Sequence, residues 1–153
     1  MVMPDGFELM INEVDLGKVI GITKTLAQKL SDTEELRKLL ITGFPYAPFE
    51  SVLKRLGWTR AQVGEALGLP ERTLARRKQE GKFQPLESDR VFRFLQVVAH
   101  AIETIGDDEK AGRWLTKPNR ALMGKVPLQL LNTPIGASQV DEILGRIDHG
   151  LYS

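Results

Sequence analysis

Apolar positions recur along this chain at three-four spacing almost throughout, and no stretch of useful length alternates with the period of two that a half-buried strand requires. An all-α fold is expected. Phe49, Val52, Leu53 and Leu56 mark one buried stripe, on a helix that starts near Pro48 and ends at Gly57. Leu36, Leu39 and Leu40 mark another, opened by the capping-box pattern Ser31-Asp32-Thr33-Glu34 and stopped by Gly43 with Pro45 and Pro48. A weaker helical pattern, interrupted by Gly17 and Gly21, covers about 13–30. The longest helix is expected from about 89 to 105 with Ser88 as its cap, and its apolar residues cover more than half of its circumference. Such a helix has to be enclosed on most sides, which predicts a central rod. Asp107 or Asp108 opens a further helix ending near Leu115, a short turn follows Pro127, and a last helix covers about 137–148.

Between two of these helices lies a recognisable geometry. Thr59 caps a helix through Val63, Ala66 and Leu67, Gly68-Leu69-Pro70 turns the chain, and Glu71 to Glu80 forms a short basic helix closed by Gly81. A helix-turn-helix needs a small residue where its helices cross, a turn glycine about four residues later, and apolar residues that lock the second helix on the first. Gly64, Gly68, Val63, Leu67, Leu69 and Leu74 meet these requirements, whereas Arg77 stands where an apolar residue usually packs.

Charge supports the same segment. The net charge is only +1, yet residues 1–49 carry five Lys/Arg against seven Asp/Glu, residues 50–100 ten against six, and residues 101–153 six against seven. The basic excess falls on the helix-turn-helix, as a DNA-facing surface requires, although a solvated helix face would carry the same counts. On the DNA reading, Arg72 and Thr73 at the start of the second helix reach base edges, while Arg76, Arg77 and Lys82 meet phosphates.

Other chemistry finds little support. There is no Cys, the two histidines His100 and His149 lack paired metal-ligand spacing, and Gly43, Gly57 and Gly68 read as helix stops rather than a phosphate-cradling loop. His100, inside the rod, is expected to be a satisfied structural residue. No enzyme, cofactor or metal is expected. No apolar run approaches a membrane span and no secretory leader is visible, so the cytoplasm is the expected compartment.

The last forty residues are dense in apolar and helix-punctuating side chains. Trp114-Leu115 precedes Pro118-Asn119, then come Gly124, Pro127, Leu130-Leu131, Gly136, Val140 and Gly150. Together with Leu74-Ala75-Arg76-Arg77 and Glu87-Ser88-Asp89-Arg90, this order resembles the Xre/MbcA/ParS antitoxins, partners of RES-domain toxins in bacterial type II toxin-antitoxin systems. The resemblance covers roughly residues 50–153. It implies a helix-turn-helix (Xre-like) domain joined by a long central helix to a C-terminal helical toxin-binding module. It further implies a co-encoded NAD-degrading toxin that this chain inhibits, operator DNA, and repression of its own operon. A stand-alone helix-turn-helix transcriptional regulator without a toxin partner is the alternative.

On this reading residues 1–48 are an N-terminal helical extension, 49–105 the helix-turn-helix domain for DNA binding or dimerisation, and 106–153 the toxin-binding domain. The expected toxin-binding residues are Trp114, Asn119, Leu130, Val140, Ile143, Ile147, Gly150, Leu151, Tyr152 and Ser153; the alternative is that Trp114 and the final helix are simply core, which for Trp114 is the favoured reading. Gly150-Leu151-Tyr152-Ser153 is expected to enter the toxin's NAD cleft. A homodimer or higher self-assembly is expected too, because the rod carries more apolar surface than its neighbours need cover; Phe92, Phe94 and Val98 are the candidate contacts.

Overall fold

The computed structural model describes residue 28 and residues 30–150. Seven α-helices lie wholly within them: α1 (Thr33–Thr42), α2 (Ala47–Leu56), α3 (Arg60–Leu67), α4 (Glu71–Glu80), α5 (Pro85–Ile105), α6 (Asp108–Thr116) and α7 (Pro134–Asp148). Two 3-10 turns, Arg120–Leu122 and Pro127–Leu130, connect α6 to α7. The described residues contain no strand, only isolated bridges between Pro45 and Lys82 and between Asn119 and Lys125. The pattern expected over 13–30 lies almost entirely outside the described residues.

Helix α5 is the rod, and α1, α2, α6 and α7 all pack on it. Its N-terminal half closes an aromatic cluster in which Phe49 stacks against Phe83 and Phe94, Tyr46 against Phe49 and Phe83, and Phe44 against Phe92, all with centroids 5.4–5.7 Å apart. This packing overturns the expected dimer contacts: Phe92, Phe94 and Val98 are 2%, 0% and 0% exposed. The apolar circumference of the rod is consumed inside the chain, by helices from both sequence directions.

Several helix starts fall elsewhere than the sequence suggested. Asp32, not Ser31, caps α1, accepting from Glu35 N at 3.0 Å, while the Ser31 hydroxyl donates back to Gln28 O. Asp is as good an acceptor as Ser here, and Ser31 is itself the last residue of a preceding helical turn. Helix α5 starts at Pro85 rather than after Ser88, because Pro85 suits the first helical position and the Glu87 carboxylate reaches back to Gln84 N at 2.8 Å. Ser88 is instead fully buried inside the helix, accepting from Phe44 N and donating to Gln84 O. Helix α7 begins three residues early, at Pro134, with Thr133 accepting from Gly136 N.

Candidate functional site

Helix α4 is held in place by the crossing geometry that the sequence contained. A Cβ on Gly64 would stand 2.3 Å from Leu69 O and 3.1 Å from Leu74 Cδ1, so only glycine lets α3 approach the turn so closely. Gly68 takes the left-handed conformation with φ of 71°, and Val63, Leu67, Leu69 and Leu74 are buried. Thr59 caps α3 by accepting from Gln62 N. On the resulting surface Arg72, Arg76 and Lys82 are exposed and Thr73 is half-buried. These are the side chains expected to meet DNA, and they share one short helix and its exit.

Arg77 is the exception. Its guanidinium makes a two-pronged contact with Glu87 of α5, Nε to Oε1 at 2.7 Å and Nη2 to Oε2 at 3.0 Å, and a third hydrogen bond to Glu80 at 2.7 Å. Only 11% of the side chain is exposed. The hydrogen bonds that Arg77 donates to Glu87 and Glu80 outweigh burial and hold the guanidinium even more firmly charged than usual. The expected phosphate contact from Arg77 is therefore replaced by a lock between α4 and α5. That lock explains why a charged residue can stand at a position where such motifs usually place an apolar one.

Two further contacts fix the unit. Arg90 of α5 donates to Leu67 O at 2.9 Å, tying down the end of α3. Glu50 of α2 accepts from Arg60 and lies 3.3 Å from Lys78 Nζ. Burial pushes the Glu50 carboxyl up, but hydrogen bonds from Arg60 and Lys78 prevail and keep it below the usual carboxylate range.

In the C-terminal part, the expected contact residues divide. Val140 and Ile143 are 0% and 4% exposed and belong to the core between α7 and α5, so they are corrected to packing residues. The three-four spacing that singled them out is the same for a core face and a docking face. Trp114, Leu130 and Ile147 are half-buried against that core. Asn119, expected to bind toxin, holds its turn, its side-chain oxygen accepting from Ala121 N at 2.9 Å. Gly150 is exposed with φ of 68°, and Leu151, Tyr152 and Ser153 lie outside the described residues. Gly136 has a role that its sequence position hid: a Cβ there would lie 1.9 Å from Leu130 O, so the second 3-10 turn and α7 meet only because the side chain is missing.

His100 proves to be a satisfied residue, and more. Nδ1 lies 2.5 Å from Asp141 Oδ1 and Nε2 2.7 Å from Asp148 Oδ2, so one imidazole clamps the rod to two carboxylates about two turns apart on α7. Burial lowers its pKa, yet the two carboxylates overcome this and push it up to about 9. His149 instead turns back to Gly145 O. Among the described residues no helix is long and apolar enough to cross a membrane.

A helix-turn-helix with free basic side chains, sharing one core with a helical module at the other end of a rod, defines a DNA-binding protein with an appended partner-binding part. Residues 35–96 match the family model of the antitoxin Xre-like helix-turn-helix domain, and residues 100–150 that of the antitoxin Xre/MbcA/ParS C-terminal toxin-binding domain. The chain is 35% identical over 140 residues to an antitoxin Xre of Yersinia enterocolitica, covering 90% of both chains. A second antitoxin Xre, from Photorhabdus laumondii, is 31% identical over 132 residues, covering 85% of this chain and 89% of that one. A third, from Pseudomonas putida, is 42% identical over 85 residues, about half of each chain. The chain belongs to the Xre antitoxin family, with the helix-turn-helix and toxin-binding domains of a toxin-antitoxin system.

Proposed function

We propose that the cognate toxin is a co-encoded RES-type enzyme that degrades NAD, and that this antitoxin inhibits it by binding, with no chemistry of its own, and represses their shared operon. The observation that carries the reading is the union, in one core, of a toxin-binding module with a helix α4 whose Arg72, Thr73 and Arg76 are free to face DNA. The order of Trp114-Leu115, Pro118-Asn119, Gly124 and Pro127 supports the RES assignment by resemblance. Co-expression with the neighbouring gene tests it. Growth arrest and NAD loss should appear with the neighbour alone and vanish when this chain is present; a harmless neighbour, or arrest that persists, refutes the antitoxin–RES pairing.

Repression asks for two readers spaced along the operator. Since Phe92, Phe94 and Val98 are interior, the proposed contacts for self-association are exposed apolar side chains, of which Leu86 at 87% and Ile41 at 54% flank the helix-turn-helix. Light scattering of the free chain and of the toxin complex reads the assembly, and a gel shift on the upstream DNA reads repression.

A further inference from the structure

Among the described residues, Met123 is the one non-glycine residue in the left-handed backbone region, with φ of 57° and ψ of 37°. It is also 91% exposed, the most exposed of the large apolar side chains described. The left-handed backbone is uncommon for a non-glycine residue, and here it coincides with high exposure. Met123 N donates to Arg120 O at 3.1 Å and Gly124 N to Asn119 O at 2.8 Å, the paired bonds that close a helical turn around a left-handed residue. That position favours glycine, and here a long apolar side chain occupies it against backbone preference.

The turn is rigid. Asn119 N donates to Lys125 O, Asn119 O accepts from Leu122 N and Gly124 N, and its side chain accepts from Ala121 N. Leu122 is buried beneath, at 7% exposure, so the loop is nailed to the core one residue before its tip. An apolar side chain held outward on a preorganised turn loses little entropy when a partner covers it. Methionine, unbranched and polarizable, suits an imperfectly matched pocket.

Charge narrows the partner. From Lys110 to Val140 the chain has five Lys/Arg and no acidic residue. Lys117, Arg120 and Lys125, the three nearest the tip, are exposed and have no ion pair among the described residues. An apolar tip ringed by three free cations fits an apolar pocket with an acidic rim. DNA fits it less well, because phosphates would satisfy the cations but leave the methionine in water.

We infer that the Asn119–Lys125 turn is an anchor for the toxin, with Met123 entering an apolar pocket of the toxin and Lys117, Arg120 and Lys125 pairing with acidic residues around it. This rests on the reading of residues 100–150 as the toxin-binding domain, and it locates the contact on a turn rather than on the faces of α7.

The test is titration of the purified co-encoded toxin with full-length chain. Met123→Gly should melt at the same temperature as the parent chain or higher, since glycine relieves the left-handed position, yet bind toxin at least about tenfold more weakly, or about 1.4 kcal/mol. Met123→Leu should keep most of the affinity. Replacing all three cations by Gln should slow association and flatten its salt dependence while dissociation changes less. Affinity of Met123→Gly within about twofold of the parent chain overturns the inference, being well under the loss expected of an anchor. So does loss of operator binding with toxin binding intact, which would assign the turn to DNA. Failure of the unmodified chain to bind the toxin at all would instead defeat the functional reading on which the anchor depends.

Discussion

Replacing His100 by Gln, in a background where His149 is also Gln, isolates the clamp between α5 and α7, because the chain has no other histidine and no cysteine. The imidazolium bonds Asp141 at 2.5 Å and Asp148 at 2.7 Å, and its pKa stands at about 9 against an ordinary 6.5. A raised pKa in the folded state means that folding favours the protonated ring. The stabilisation is therefore complete below pH 6.5, falls as pH rises from there, and is gone above about pH 9. At about 1.4 kcal/mol per pH unit, this gap sets a ceiling of about 3 kcal/mol. Asp148 is 40% exposed, so solvent screens its share, and about 1–2 kcal/mol is the expected size. Urea unfolding at about pH 6, 7.5 and 9.5, comparing the background chain with its His100→Gln variant, measures it. The difference should be largest at the lowest pH and should shrink to what packing alone contributes at the highest. A difference that does not change with pH, or a background chain equally stable at both extremes, would refute the charged clamp.

Arg77→Met should destabilise the chain by about 1–3 kcal/mol, because Glu87 is left half-buried without its partner, and adding Glu87→Gln should restore part of the loss in a double-mutant cycle by urea denaturation. In gel shifts across salt concentrations, Arg76→Ala should reduce the salt slope of DNA binding by about one, while Arg77→Met, normalised to folded protein, should leave the slope unchanged. Gly136→Ala should cost about 1–3 kcal/mol by thermal unfolding, since its Cβ would overlap Leu130 O and force the second 3-10 turn away from α7.

The helix-turn-helix was legible because its requirements are local. Gly64, Gly68, Leu69 and Leu74 meet across a turn of a few residues, and the chemistry of each could be read in place. Helix starts were less so, since Ser31 and Asp32 are equivalent as acceptors, and it is the helical turn ending at Ser31, whose hydroxyl is spent on Gln28 O, that leaves the cap to Asp32. The partner-facing residues were least legible. Val140 and Ile143 have the spacing of any buried stripe, and the pattern of one helix says nothing about whether α5 or a toxin covers it. Long-range pairs such as Arg77 with Glu87 or His100 with Asp141 need a crossing angle, which sequence spacing does not contain. A signal for Arg77 did exist: a charged residue at a core position asks for a buried partner, and Glu87 opens the next helix.

Those two pairs attach the two halves of the antitoxin to one helix. Glu87 and Arg90 sit in the first two turns of α5 and hold α4 and the end of α3, while His100, further along the same helix, holds α7. The second 3-10 turn makes an independent contact, packing on α3, α6 and α7 together. No free linker separates α7 from the helix-turn-helix: polar bonds at the start of the rod and the packing of the second 3-10 turn on α3 both tie the two parts together. Close-packed interiors transmit displacements rather than dissipate them. Any coupling between the toxin-binding module and the surface of α4 is then expected to weaken in His100→Gln, which touches neither surface; operator affinity by gel shift with and without toxin measures it, and a toxin effect equal in both chains would refute this route.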